Sequence, residues 1–296
     1  MQHITVLQQE AVDALALNPA SIVVDATLGA GGHGREILSR LGPAGMYIGI
    51  DADKTAITAL EGKMTGEAEV HLVHANFGLI QNVVRSLEIP QVDAVLADLG
   101  WRTDQFEEKG RGFSFKDTDG LAMTYGDAKE YAFTAKDIVN DWAEQDIANV
   151  LYGYGEEHYS RRIATAIVAA RQQKTIETAD ELAHIISEAV PAAYRRGRIH
   201  PATKSFQGLR IAVNDEFSVL ETFINDAFSL LKPNGRLAII TFHSLEDRIV
   251  KLAFKAYTHD QQGVLVSKKP IVPTREELVR NPRARSAKLR IIQKNS

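Results

Sequence analysis

The chain contains no cysteine among its 296 residues. That absence excludes disulfides, thiolate-held metals and a cysteine nucleophile. Long apolar runs are missing as well. The run Leu237 to Phe242 is far short of the ~20 residues that a membrane helix requires. The opening Met1-Gln-His-Ile-Thr carries neither a basic stretch nor an apolar signal core, so a cytoplasmic protein without a targeting segment is expected. The nine histidines are scattered. The closest pair, His71 and His74, falls on an expected strand, where an odd separation puts the two on opposite faces. No metal site is expected. A hydrophobic content of 45% and a charged content of 24% are ordinary for a soluble globular protein. The length supports one large domain or two smaller ones.

Positive charge is also scarce overall, with a net of −4, but it is unevenly placed. From Ala192 to Arg210 there are five basic residues (Arg195, Arg196, Arg198, Lys204, Arg210) and no acidic one. From Lys268 to the end there are nine basic residues and two acidic. The remainder holds 20 basic and 36 acidic residues, a net of −16. Two basic segments on an acidic body can form a local phosphate-binding surface. They can equally be two solvated faces.

The first hundred residues alternate strand and helix. Expected strands are Ile22-Val-Val-Asp-Ala, Met46 to Asp51, Val70 to His74 and Val92 to Asp98. Helical patterns lie between them, and this rhythm predicts a parallel, doubly wound α/β sheet. From about 104 to 205 no strand pattern is evident, and helical patterns cover Glu144–Leu151, Glu157–Gln172 and Thr178–Val190. A turn at Lys232-Pro-Asn-Gly235 precedes a strand at Arg236–Phe242, a helix from Leu245 and a last strand near Lys288–Ile292. The expected layout is a sheet domain of residues 1–103 and 206–296, interrupted by an all-helical domain of residues 104–205.

Gly29-Ala-Gly31-Gly32-His33-Gly34 follows a strand and opens a helix. It satisfies the glycine pattern of adenosine-binding folds, in which the backbone approaches the ligand closely. Asp51 ends the second strand and is placed to accept bonds from ribose hydroxyls. NAD and S-adenosylmethionine (SAM) both fit that geometry. NAD brings a pyrophosphate to the helix N-terminus, whereas SAM brings an ammonium, a carboxylate and a sulfonium. An acid before the loop, Asp25, and an acid ending the fourth strand, Asp98, have uses with SAM, which is the favoured reading. The glycines can also serve only to make a tight turn.

Asp98-Leu-Gly-Trp101 resembles the place where amino-group methyltransferases carry an acid or amide followed by an aromatic residue. A carboxylate accepting an amino N–H localises the nitrogen lone pair and can help remove the proton. A ring can stack on a flipped base; equally, Trp101 can be a packing residue. Methylation at cytosine C5 needs a thiolate at C6, which a cysteine-free chain cannot supply. Nitrogen or oxygen methylation remains.

Several blocks together resemble one family. They are Asp25–Glu36, Asp98-Leu-Gly100, Arg111–Phe115, Tyr154–Glu157, His200-Pro-Ala-Thr-Lys-Ser-Phe-Gln207 with Arg210-Ile211 and Val213-Asn214, Phe242–Lys251 and Asn281-Pro-Arg-Ala-Arg-Ser286. They look like those of the bacterial 16S ribosomal RNA (cytosine-N4)-methyltransferases, the RsmH or MraW family, over nearly the whole chain. The resemblance implies a Rossmann-like class I methyltransferase sheet with an inserted helical domain. It implies SAM contacts at Gly31, Gly32, His33, Asp51, Phe77, Asp98 and Gln105, and a cytidine of the small-subunit decoding region as substrate. Phe77 can pack on adenine or in the core, and Gln105 can bond a ligand or close a turn.

On the RNA side, His200, Lys204, Arg210 and Asn214 are candidates for holding phosphates near the base. His243 and Ser244 are candidates for positioning RNA or SAM, and Arg283 and Arg285 for the RNA backbone. Each block also has a plain structural reading. Pro201 suits a first helical position, and Ser244 with Asp247 suits a helix cap. The expected partner is 16S rRNA within the small subunit, with no membrane; a homodimer is left open. The chain departs from the family where Asp-Leu-Gly-Val-Ser-Ser becomes Asp98-Leu-Gly-Trp101-Arg102-Thr103. It departs again where Asp-Met-Arg-Met-Asp becomes Leu121-Ala-Met123-Thr-Tyr125-Gly. These departures leave room for a different target nucleotide, or for SAM and RNA binding without turnover.

Overall fold

A computed structural model describes residues 4–99, 111–115, 118 and 120–296. The chain divides into two compact units, Met1–Trp101 with Phe217–Ser296, and Arg102–Glu216.

The first unit is built on a seven-stranded sheet: β1 (Ile22–Asp25), β2 (Met46–Asp51), β3 (Glu69–His74), β4 (Val92–Asp98), β5 (Leu231–Thr241), β6 (Gly263–Leu265) and β7 (Lys288–Lys294). Their spatial order is β3-β2-β1-β4-β5-β7-β6. The β2–β3, β1–β2, β1–β4 and β4–β5 pairs are parallel. β7 runs antiparallel between β5 and β6. The strands are apolar on both sides because both faces are covered. Val23, Leu96 and Ile240 enter one core, while Val24, Val95 and Ile239 enter the other. This alternation follows from the period of two along a strand. The order reverses between β1 and β4, which opens a crevice at the carboxyl ends of those strands.

α1 (Gln8–Ala14) precedes β1, and the crossovers carry α2 (Gly32–Leu38), α3 (Lys54–Leu60) and α4 (Ile80–Ser86). Neither α1 nor β6 is evident from sequence pattern. A second difference lies at Lys232–Gly235. These residues form no separate turn. They lie inside β5, where the register against β4 slips between Val92 and Ala94. Asn234 has a positive φ of 65° there, as suits a bulge at which Pro233 has no N–H to give the ladder.

In the second unit, the described residues form helices Ala135–Asp141, Glu144–Gly153, Ser160–Arg171, Ala179–Ala189, Ala192–Arg195 and Thr203–Asn214. The expected return to the sheet domain at residue 206 falls within the last of these. The helix runs on to Asn214, and Asp215 turns the chain in the left-handed conformation (φ 47°). Among the described residues, no helix is long and apolar enough to cross a membrane.

Candidate active site

Because β1 to β4 are parallel, their carboxyl ends collect the predicted glycine turn and three further predicted residues at one edge of the first unit. The glycine turn follows β1, Asp51 ends β2, Phe77 follows β3 and Asp98 ends β4. Gly29 and Gly31 have φ of 54° and 74°, values that glycine adopts without steric cost. The Gly29 N–H donates to Asp51 Oδ2 at 2.7 Å, and the Asp53 N–H to Oδ1 at 2.8 Å. Asp51 therefore shapes the turn, and a carboxylate oxygen can accept more than one hydrogen bond. Phe77 opens a short 3₁₀ turn and meets Phe223 edge-on, with ring centroids 5.2 Å apart. It is half-buried, so part of its ring is available at the edge.

Asp98 is fixed from its backbone, its N–H donating to Thr27 Oγ1 at 2.6 Å. Its carboxylate retains some exposure, and Oδ2 lies 3.8 Å from His33 Nδ1. His33 is buried, with Nε2 3.0 Å from the Val6 carbonyl. A carbonyl only accepts, so Nε2 carries the proton and Nδ1 faces Asp98.

Asp25 takes a different role from the one expected. It was expected to serve SAM, but its side chain is almost wholly buried. Oδ2 accepts from the Tyr47 hydroxyl at 2.9 Å, and Oδ1 from the Thr27 N–H at 3.3 Å. It supports the site from beneath. Burial raises its pKa to about 6, against the opposing influences of His33 and the Tyr47 bond. Burial, with Asp25 alongside, also pushes the Tyr47 phenol up, so that it stays a donor.

This pair carries a pH prediction. Asp25's folded-state pKa lies above its unfolded value of 3.8. The folded form therefore holds a proton between pH ~4 and ~6 that the unfolded chain has released. Its contribution to stability is full below pH ~4 and is lost as pH rises through about 6. By that linkage the loss amounts to about 3 kcal/mol. Urea titrations of wild type and Asp25→Asn from pH 4.5 to 7.5 should show the variant gaining on wild type as pH rises. A difference independent of pH would remove the assigned cause.

The glycines also divide by role. A Cβ at Gly32 would lie 1.8 Å from Thr5 Oγ1, and one at Gly34 2.3 Å from the Tyr47 hydroxyl. These two admit parts of the protein itself, whereas Gly29 and Gly31 make the turn.

Trp101 and Gln105 lie outside the described residues, as do Arg102 and Thr103. The second unit holds His200, Lys204, Arg210 and Asn214, each with an internal contact. The His200 ring stacks on Phe115 at 4.5 Å. Lys204 Nζ donates to the Glu156 carbonyl at 3.0 Å. Arg210 makes a two-point ion pair with Glu216, at 2.7 and 2.9 Å. Asn214 donates to the Met123 carbonyl at 2.8 Å and accepts from the Tyr125 N–H at 3.0 Å. Asn214 thus holds the segment that departs from the family pattern. Pro201 lies in the turn ahead of the helix, which begins at Thr203. The His200 carbonyl accepts the Thr203 N–H, and His200 Nδ1 accepts the Ala202 N–H.

In the first unit, the cap of the helix Ser244–His259 is His243, not Ser244. His243 Nδ1 accepts the Glu246 N–H, and Glu246 returns a bond to the His243 N–H, so the capping box closes one residue earlier than expected. Asp247 is instead engaged by Arg290 and Lys288. Burial opposes its ionisation, but those two cations keep its pKa below the usual carboxylate value. Arg283 and Arg285 are exposed on a short 3₁₀ turn, Pro282–Ser286. Thr27, Tyr47 and the segment from Thr5 to Gln8 were not anticipated as site residues. Of these only Thr27, next to the loop, carried a signal in the sequence; the others are brought there by the fold.

All-parallel dinucleotide folds lack a reversed strand between β5 and β6. With that reversed strand, the glycine turn after β1 and the acids Asp51 and Asp98 at the carboxyl ends of β2 and β4, the fold and site define a Rossmann-like, SAM-dependent methyltransferase. The chain matches the model of the MraW methylase family over residues 1–295, and it belongs to that family. It is 43% identical to the ribosomal RNA small subunit methyltransferase H of Paenibacillus sp. (strain JDR-2), covering 99% of each chain. It is 44% identical to the protein of the same name from Acetivibrio thermocellus, again over 99% of each.

Proposed function

We propose that this methyltransferase places its methyl group on the exocyclic N4 of a cytidine in the decoding region of 16S rRNA. The observation that carries the reading is the Asp98 carboxylate at the end of β4, partly exposed and 3.8 Å from His33. The names of the relatives supply the RNA class. The residues present suit SAM: beside the turn made by the left-handed Gly29 and Gly31, Asp51 would accept bonds from the ribose hydroxyls, and the half-buried Phe77 would pack on adenine. When bound, SAM supplies an electrophilic methyl carbon on a positively charged sulfur.

Asp98 accepts an N–H of the cytosine amino group, which concentrates the lone pair on nitrogen along the line of attack. It then takes the proton that the nitrogen sheds after the N–C bond has formed. His33, its Nε2 held on the Val6 carbonyl, lines the site beside that carboxylate. Holding the nitrogen in line supplies much of the acceleration. On this reading the protein works in the cytoplasm, where its subunit substrate is.

Labelled methyl transfer to small ribosomal subunits that lack the modification tests the substrate. Label should enter 16S rRNA, and label confined to tRNA or to large-subunit rRNA would contradict the proposal. Arg283 and Arg285 are proposed phosphate contacts. Replacing either by alanine should reduce the slope of log affinity against log salt by about one. An unchanged slope in fluorescence anisotropy with a 16S fragment would take them out of the RNA surface.

A further inference from the structure

The glycine turn is tied to the far end of the sequence through a short N-terminal segment. Residues 4–8 point their groups two ways. Towards the turn, the Val6 carbonyl holds His33 Nε2 at 3.0 Å, Gln8 Nε2 donates to the Gly32 carbonyl at 2.9 Å, and Thr5 occupies the space left by the missing Gly32 side chain. Towards the C-terminal region, the Leu7 N–H donates to Glu277 Oε1 at 2.7 Å, and Asn281 Nδ2 donates to the Ile4 carbonyl at 3.1 Å. Glu277 and Asn281 are each only 8% exposed.

Two features show that this tether is held against a local preference. Leu7 sits in the left-handed conformation (φ 50°, ψ 37°), which costs a non-glycine residue roughly 1–2 kcal/mol. Its side chain is fully buried, and its N–H is satisfied by Glu277. In addition, Thr274 and Glu277 stand at the positions of a capping box. Thr274 Oγ1 accepts the Glu277 N–H at 3.2 Å. In such a box the glutamate ordinarily turns back to its own helix start. Here its Oε1 reaches Leu7, 270 positions away in sequence.

We propose that Glu277 and Asn281 are positioning residues of the methyl-donor site, acting through Ile4–Gln8 to set the His33 ring and the Gly31–Gly32 turn. The proposal rests on the assignment of His33 and the turn to SAM. Neither residue touches the cofactor. Losing either lets residues 4–7 relax, which releases the Val6 carbonyl from His33 and frees the ring to move beside Asp98.

Titration calorimetry of S-adenosylhomocysteine into the full-length protein tests this, with thermal melting to follow the fold. Glu277→Ala should weaken binding about tenfold, a coupling typical of residues in one bonded network. Glu277→Gln, which keeps a carbonyl acceptor for the Leu7 N–H, should restore most of the affinity. In a His33→Ala background, Glu277→Ala should cause a clearly smaller loss, since the part of its effect that runs through His33 is already gone. Asn281→Ala should behave in the same way and stands in if Glu277→Ala does not fold. Equal losses in both backgrounds would reduce Glu277 to general stability and overturn the proposal. Unchanged affinity in Glu277→Ala, with His33→Ala weakened, would overturn it too. If His33→Ala itself binds as wild type does, the assignment of the turn to the cofactor fails, and the proposal falls with it.

Discussion

Asp98→Ala lowers the rate of methyl transfer by about 10²–10⁴-fold, the range for removal of a general base, and leaves the protein folded. The fold survives because the structural bond at this position is made by the backbone: the Asp98 N–H donates to Thr27 Oγ1, which any side chain permits. Asp98→Asn falls between the two. Its carbonyl can still accept an amino N–H, but it has neither the charge to draw the lone pair out of the ring nor the basicity to take the proton. Single-turnover transfer separates chemistry from product release, and calorimetry with S-adenosylhomocysteine separates chemistry from binding. Asp98→Ala with a rate within a few-fold of wild type would remove Asp98 from the chemistry.

Gly32→Ala should be the most damaging of the small changes at the edge of the sheet. The new Cβ would lie 1.8 Å from Thr5 Oγ1 and 3.0 Å from Thr5 Cβ, so residues 4–8 must move. Overpacking of this kind costs about 1–3 kcal/mol. Displacing Val6 from His33 should also lower SAM affinity. Thr5→Ala removes the closest clashing atom but not the second, so the double variant should recover part of the loss. Gly153→Ala is the control, since a Cβ there meets nothing within 4 Å. Thermal melting and calorimetry of the four proteins would decide the matter. Equal melting temperatures for Gly32→Ala and wild type would refute the packing argument.

The placement of the glycine turn, Asp51 and Asp98 at one edge of the sheet was readable in the sequence because it is local. Each ends or follows a strand whose apolar pattern is unmistakable, and parallel strands bring such ends together. The family resemblance added Phe77 and His33, which pattern alone does not single out. Asp25 shows where the reading stops. An acid before the loop is the same letter whether it faces a cofactor or a tyrosine, and only the fold brings Tyr47 beneath it. The link from Leu7 to Glu277 was out of reach because its partners are 270 positions apart in sequence. His243 displaced Ser244 as the helix cap because an imidazole nitrogen accepts the same bond that a hydroxyl does. The basic tail was over-counted for RNA, since charge totals do not show that Lys288 and Arg290 face Asp247.

The most direct test of the central claim is the chemical identity of the product. Small subunits lacking the modification would be incubated with the protein and SAM, digested to nucleosides and fragmented in a mass spectrometer. The account predicts N4-methylcytidine, with the added mass on the base and no 2′-O-methyl sugar. Methyl on the ribose or at cytosine C5 would contradict the role given to Asp98.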